Sequence, residues 1–125
     1  MNVDAPIVAQ LCARASGTDV EICGALVGNH STVEEVWPLA NQSSNHRSSF
    51  LIPAEEVLRV EREAAVRGFD LIGFYHSHPD GTAVPSQSDL LQAVSGYIYL
   101  IVAGDREIRA WRLRADRSGF DEVLA

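Results

Sequence analysis

Two histidines, a serine and an aspartate stand close together in the segment His76-Ser77-His78-Pro79-Asp80-Gly81-Thr82-Ala83-Val84-Pro85-Ser86-Gln87-Ser88-Asp89. The apolar and aromatic run 71–75 precedes this segment, and Pro79 cannot donate to a sheet, so the pattern predicts a buried strand that ends at His78. Side chains two residues apart on a strand share a face. His76 and His78 are therefore predicted to bind one metal ion, at nitrogen–metal distances of about 2.0–2.1 Å.

A short helix is predicted to begin at Ser86, after a loop rich in glycine, proline and threonine. Apolar residues follow at helical spacing over 90–94, and serine is a favourable N-cap residue. Asp89 then lies in the first helical turn, where the helix dipole favours a carboxylate that can face back toward the strand end. It is the predicted third metal ligand.

Two histidines and one carboxylate leave a coordination position open, which is typical of a catalytic rather than a structural zinc site. A non-haem iron site with the same ligand set stays an alternative. Each half of the pattern also has an interpretation without metal, because Ser-x-x-Asp before an apolar run is a capping box and His-Ser-His is compatible with a polar strand end. The two halves together favour the metal, with zinc as the preferred ion.

The rest of the chain predicts strands interleaved with helices around one sheet, a mixed α+β sandwich with helices on both faces. The other predicted elements are a helix over 7–15 ending in a left-handed cap at Gly17, a hairpin of strands 21–28 and 32–39, a helix after Pro53, and strands over 97–103, 108–114 and 120–124. The predicted apolar face of the helix after Pro53 comprises Val57, Leu58, Val60, Ala64 and Ala65. Trp111 departs from the alternation of its strand, and the polar stretch 40–49 predicts an exposed loop.

Length and composition restrict the class of protein. The 125 residues, 46% of them hydrophobic, fit a single domain over 1–125, and no run of 18 apolar residues or secretory signal is apparent. We therefore expect a cytoplasmic protein that does not enter a membrane. A net charge of −7 disfavours nucleic acid as a partner, and the oligomeric state stays open.

The remaining cysteines and histidines are expected to lie outside the metal centre. Cys12 and Cys23 form no Cys-x-x-Cys pair, so they are predicted to be reduced packing residues, with a bridge between them as the less favoured alternative. His30 and His46 lie in polar, turn-like contexts and are predicted to be solvated.

The motif resembles the signature of the JAMM, or MPN-plus, zinc metallopeptidases, His-x-His-Pro, six residues, Ser-x-x-Asp, with a glutamate upstream. The run Glu21-Ile22-Cys23-Gly24-Ala25-Leu26-Val27-Gly28 is similar to the family's glutamate strand. The resemblance covers nearly the whole chain, and it is to the compact prokaryotic form of the family. It implies a single mixed sheet flanked by helices in a cytidine-deaminase-like architecture.

The resemblance also implies roles for the residues. Glu21 would be the general base for a zinc-activated water, and Ser86 would donate a hydrogen bond to the developing oxyanion during amide hydrolysis. His76, His78 and Asp89 would hold Zn²⁺. The implied substrates are the C-terminal Gly-Gly tails of ubiquitin-like or sulfur-carrier proteins.

Three other functions remain open at this point. One is a peptidase that releases cysteine or a short extension from a sulfur-carrier protein. Another is a metal-free MPN scaffold, although such members typically lose zinc ligands that this chain keeps. A zinc deaminase is disfavoured, because the chain lacks Pro-Cys-x-x-Cys.

Overall fold

The computed structural model describes residues 2–30, 32–44, 50–79, 81–103 and 107–123. Its helices are α1 (Ala5–Ser16), α2 (Ala54–Val66) and α3 (Gln87–Gln92). Its strands are β1 (Asn2–Val3), β2 (Cys23–Asn29), β3 (Thr32–Leu39), β4 (Asp70–His78), β5 (Ile98–Ala103), β6 (Glu107–Leu113) and β7 (Phe120–Val123). His46 and Leu124 lie outside the described residues, as does half of the predicted loop 40–49.

All described strands belong to one sheet in the order β1-β3-β2-β4-β5-β6-β7. The β1–β3 and β4–β5 pairs are parallel, and the other neighbours are antiparallel. A parallel pair requires a crossover connection, and α3 lies within the one between β4 and β5. The predicted single mixed sheet is confirmed, with the histidine strand β4 at its centre.

Helices cover both faces of this sheet, as the sequence predicts. On one face, Ile7, Leu11 and Ala15 of α1 pack against buried residues of β2 to β6. On the other face, Val60 of α2 and Ala93 after α3 pack against Phe74 and its neighbours. Each amphipathic helix thus buries its apolar stripe against the sheet, which is the main stabilising contribution of such an arrangement.

A bulge in β4 sets which face the histidines use. Leu26 pairs with Gly73 and Val27 pairs with Leu71, so Ile72 is an extra residue in the strand. A side chain at Gly73 would overlap the backbone carbonyl of Ile98, which explains why a glycine occupies this position. Beyond the bulge Phe74 faces α2, and the even-numbered His76 and His78 follow it on that side.

Some local predictions are wrong. Leu58 and Ala65 of α2 are exposed, because the sheet covers a narrower arc of the helix than the apolar residues occupy. Gly17 has φ −81°, so α1 does not end in a left-handed cap. Gly68, with φ +77°, does provide the left-handed residue after α2, where Phe69 N–H donates to Ala64 O at 2.8 Å.

Cys12 and Cys23 are thiols rather than a disulfide pair, as predicted. His30 is exposed at the turn after β2, also as predicted. Within the described ranges, none of the helices has the length and apolar character that spanning a membrane requires.

Candidate metal centre

The two histidines and Asp89 meet where β4 ends and α3 begins. Nε2 of His76 and Nε2 of His78 lie 3.1 Å apart, and Oδ2 of Asp89 is 3.1 Å from the first and 3.0 Å from the second. Three ligands of one tetrahedral zinc, each at about 2.0–2.1 Å, are about 3.3–3.4 Å from one another. A small outward movement of each side chain is enough to seat an ion, so these residues fit a metal.

Nε2 of His76, Nε2 of His78 and Oδ2 of Asp89 form a triangle of possible ligand atoms. The hydrogen bond at Nδ1, the other ring nitrogen of His78, explains why a cation suits this triangle. The carbonyl oxygen of Thr82 can only accept, so Nδ1 of His78, 2.8 Å away, carries the hydrogen. In the neutral ring Nε2 is then a bare acceptor, and it faces the acceptor Oδ2 of Asp89 at 3.0 Å. Two acceptors at this distance require a proton or a metal ion between them.

The protonation states of His76 and Asp89 suit metal binding. Burial lowers the pKa of His76, which has no exposed surface. Burial acts on His78 in the same direction, but hydrogen bonds with Asp89 and Thr82 outweigh it and raise its pKa. Burial alone would raise the pKa of Asp89, yet the hydrogen bonds from both histidines bring it below its usual range. Asp89 is ionised and His76 neutral near pH 7, the forms that bind metal ions.

Glu21 brings a second carboxylate to the histidines. One of its oxygens and one nitrogen of each histidine lie within 4.8 Å of one another. The side chain is 5% exposed, and Oε1 has no hydrogen-bond partner among the described residues. Burial raises the pKa of Glu21 to about 7; the positive charge of His78 opposes the rise and the negative charge of Asp89 adds to it. A carboxylate with a pKa near 7 is suited to accept and return a proton.

Contacts between distant segments hold Glu21 in place. It lies two residues before β2 rather than inside a strand, which corrects the predicted start of the glutamate strand. Ser77, between the two histidines, accepts a hydrogen bond from Ile22 N–H at 2.9 Å, and its own N–H donates to Ile22 O at 3.0 Å. The Asn41 amide donates to Glu21 O at 3.0 Å. The side chain at the middle position of His-Ser-His therefore ties the histidine strand to the glutamate.

Sequence reasoning missed Ser77, Asn41 and the contact of Phe50 with His76. Phe50 is buried and stacks on His76, with ring centroids 4.2 Å apart. His76 is therefore buried against an aromatic ring rather than exposed at the end of its strand. Asn41 and Phe50 come from a loop and Ser77 from between the two histidines, and no periodicity in the sequence separated these three from their neighbours.

The capping box leaves Asp89 placed so that it can also serve as the predicted metal ligand. Ser86 Oγ accepts a hydrogen bond from Asp89 N–H at 3.1 Å, and Asp89 Oδ2 accepts one from Ser86 N–H at 2.8 Å. The same Oδ2 contacts both histidines. The cap thus fixes the orientation of the carboxylate toward the triangle.

An apolar cleft borders Ser86 on its other side. The cleft has a volume of about 340 Å³ and is lined by residues that include Val84, Pro85, Trp111 and Phe120. A bound peptide that passes over Ser86 would therefore contact apolar side chains.

We expect replacement of Ser86 by alanine to affect both stability and turnover. The cap bond uses a lone pair of Oγ and leaves the O–H able to donate. Ser86→Ala should destabilise the fold by about 1 kcal/mol through the lost cap, measured by urea unfolding, while Ser86→Gly should cost only a few tenths. If the hydroxyl also contacts the substrate, both variants should lose turnover to a similar extent. Turnover that falls only in step with stability would contradict a contact with substrate.

Burial of Glu21 predicts a pH-dependent stability of the metal-free protein. Its pKa is about 7 in the folded protein against 4.5 for the isolated side chain, so the folded state binds this proton more tightly. The resulting contribution is fully present below pH 4.5 and is lost as the pH rises through about 7. Glu21→Gln removes this titration. The free energy of unfolding of the variant minus that of the parent should therefore rise by about 2–3 kcal/mol between pH 4 and pH 8. Chemical unfolding at both pH values, with chelator present, measures this; a difference that does not change with pH would contradict it.

Comparisons with known proteins show the family of the chain. The family model for prokaryotic homologs of the JAB domain matches residues 4–114. A desampylase of Haloferax volcanii is 33% identical over 105 residues, which cover 82% of this chain and 76% of that protein. A probable TtuB-protein conjugate cleaving protease of Thermus thermophilus is 33% identical over 81 residues, covering 65% and 54% of the two chains. The solution structure of a Desulfitobacterium hafniense protein matches with a TM-score of 0.77 and 27% identity, covering 91% and 83%.

Proposed function

Because the chain belongs to the family of prokaryotic homologs of the JAB domain, we propose that residues 1–125 form one zinc metallopeptidase domain that cleaves protein conjugates. The chain is a JAMM-type hydrolase, like the desampylase and the conjugate-cleaving protease to which it is similar. The proposed substrates are peptide or isopeptide bonds at the C-terminal Gly-Gly tail of a ubiquitin-like or sulfur-carrier protein. The names of the two relatives support this choice.

The observation that carries the proposal is the triangle of Nε2, Nε2 and Oδ2 atoms beside a buried, unpartnered Glu21 oxygen. We assign His76, His78 and Asp89 as the ligands of Zn²⁺ and Glu21 as the base. The distances support this division, since Asp89 contacts both histidines while Glu21 lies within 4.8 Å of them.

His76, His78 and Asp89 would hold Zn²⁺, which would supply a water of lowered pKa and a positive charge that polarises the scissile carbonyl. Oε1 of Glu21 accepts the proton of the attacking water. The oxygen adds to the carbonyl carbon, and Glu21 then passes the proton to the amine as the carbon–nitrogen bond breaks. The O–H of Ser86 donates to the carbonyl oxygen as that oxygen becomes negative. Burial, which raises the pKa of Glu21 to about 7 in the metal-free protein, supports its assignment as the proton-transfer group.

The proposal includes a cytoplasmic location. Its support is that both cysteines are thiols, as is usual in a reducing compartment.

Zinc content and cleavage of a model substrate test the proposal together. Protein purified without chelator should contain close to one zinc per chain, and it should cleave a ubiquitin-like fusion at the bond after Gly-Gly. Chelator should abolish cleavage and added zinc should restore it. A matched fusion with the terminal glycine changed to valine should resist cleavage, since the proposed substrates end in Gly-Gly.

The outcomes separate the parts of the proposal. No zinc after reconstitution would overturn the metal centre and favour a scaffold. Zinc binding with equal cleavage of both fusions would overturn the preference for Gly-Gly.

A further inference from the structure

The loop that joins the two halves of the ligand motif is held by side chains of β6, two strands away from the histidine strand. Ala83, in the middle of this loop, is completely buried. Its N–H donates to Oε1 of Glu107 at 3.2 Å, and its carbonyl accepts from Nε1 of Trp111 at 2.8 Å. Trp111, which departs from the alternation of its strand, is buried and makes this contact beneath the loop. Both polar ends of Ala83 are therefore fixed by β6.

The contact with Glu107 is linked to a metal ligand through a single peptide group. The N–H of Ala83 and the C=O of Thr82 belong to the same planar amide. The carbonyl of Thr82 accepts the hydrogen of His78 Nδ1 at 2.8 Å. A continuous series of hydrogen bonds thus runs from the Glu107 carboxylate through the Thr82–Ala83 amide to His78, whose Nε2 faces Asp89 and His76.

We propose that Glu107 is a positioning residue that tunes the metal affinity of His78 through the Thr82–Ala83 peptide group. A carboxylate on the N–H side polarises the amide and makes its oxygen a stronger acceptor. The stronger acceptor holds the hydrogen on Nδ1, directs the Nε2 lone pair to the metal and increases its donor strength. Histidine ligands are commonly supported by a carboxylate directly; here a peptide group is inserted between the two. The inference rests on the proposed metal centre.

The other histidine provides a contrast within the same site. Nδ1 of His76 is buried and has no hydrogen-bond partner among the described residues. Its orientation comes from stacking on Phe50 instead. The outer contacts that the structure describes for the ligand histidines are thus concentrated on His78, so loss of Glu107 should act on metal binding through that residue.

We call the series of hydrogen bonds from Glu107 through the Thr82–Ala83 peptide group to His78 the relay. Zinc affinity of Glu107 variants tests it. Dissociation constants are measured by competition with a chromogenic chelator on the full chain. We expect Glu107→Gln, which keeps the shape but loses the charge, to bind zinc about 10-fold more weakly, and Glu107→Ala about 10- to 100-fold more weakly. The thermal midpoint of metal-free Glu107→Gln should stay close to that of the parent. The visible spectrum of the cobalt-substituted protein should shift in the Glu107→Gln variant, which a purely structural role would not cause.

Glu122→Gln is the matched control. Glu122 lies on the adjacent strand β7, where it pairs with Arg109, and it has no described contact with the loop. The change in net charge is the same as in Glu107→Gln. Because Glu122 has no described contact with the loop, zinc affinity should stay at the parent value. Equal weakening in this control would overturn the relay in favour of a general effect of net charge.

Two results keep the relay separate from the metal centre itself. If the parent protein binds one zinc and Glu107→Gln binds it equally well, the relay is wrong while the metal centre stands. If the parent binds no zinc, the proposed function fails, and the relay fails with it.

Discussion

Glu21→Gln should bind zinc like the parent protein and hydrolyse its substrate about 10²–10⁴ times more slowly, which is the usual contribution of a general acid or base. The amide has nearly the shape of the carboxylate, so the packing around this 5% exposed side chain should persist. It cannot accept a proton from water near pH 7. Because the proposed ligands are His76, His78 and Asp89, the metal should remain in place.

Turnover of a Gly-Gly fusion and zinc content by elemental analysis are measured on the same preparation. Glu63→Gln, an exposed change on α2 with the same loss of charge, is the control and should keep full turnover. Full activity in Glu21→Gln would remove Glu21 from the mechanism. Loss of zinc along with activity would instead indicate that Glu21 is a ligand, as its place within 4.8 Å of the histidine nitrogens allows.

Asp89→Asn should lose zinc while keeping the start of α3. The side-chain oxygen of the introduced asparagine can still accept from Ser86 N–H, as Asp89 Oδ2 does at 2.8 Å, so the cap should survive. A neutral amide is a poor zinc ligand, and the two Nε2 atoms would lose the ionised group that draws a cation between them. We expect zinc affinity to fall more than about 100-fold, beyond the range typical of outer contacts, and hydrolysis to fall to background.

Equilibrium dialysis with zinc and urea unfolding of the metal-free protein separate metal loss from misfolding. Asp121→Asn is the matched control, since Asp121 is exposed on β7 and pairs with Arg114. One zinc per chain at parental affinity in Asp89→Asn would contradict its role as a ligand. A large loss of stability without metal would show that the carboxylate charge is needed for the fold.

The placement of the three proposed ligands could be predicted from the sequence because each part of it depends on local geometry. Alternation along a strand places His76 and His78 on one face, and the first turn of a helix places Asp89 three residues after its cap. Those relations held, with Nε2 to Nε2 and Nε2 to Oδ2 distances of 3.0–3.1 Å. Glu21 was identified only through the family resemblance. No periodicity relates it to His76, which is far along the chain.

The error in α2 has a physical cause. An apolar pattern indicates that a helix face is suited to burial, but the neighbouring sheet decides how wide an arc is covered. Leu58 is 51% exposed because β4 and its neighbours reach only Val60, Ala64 and the residues beside them.

By itself the sequence therefore determined the residue types and local spacing at the proposed metal centre and the mixed sheet with helices on both faces, since strand and helix periods act over a few residues. Only the tertiary structure decided how buried Glu21 is, and hence its pKa of about 7. It also brought Ser77 to Ile22 and Glu107 to the Thr82–Ala83 peptide. Such contacts depend on which strands become neighbours and in what register, and that pairing is settled by packing of the whole chain rather than by any short segment.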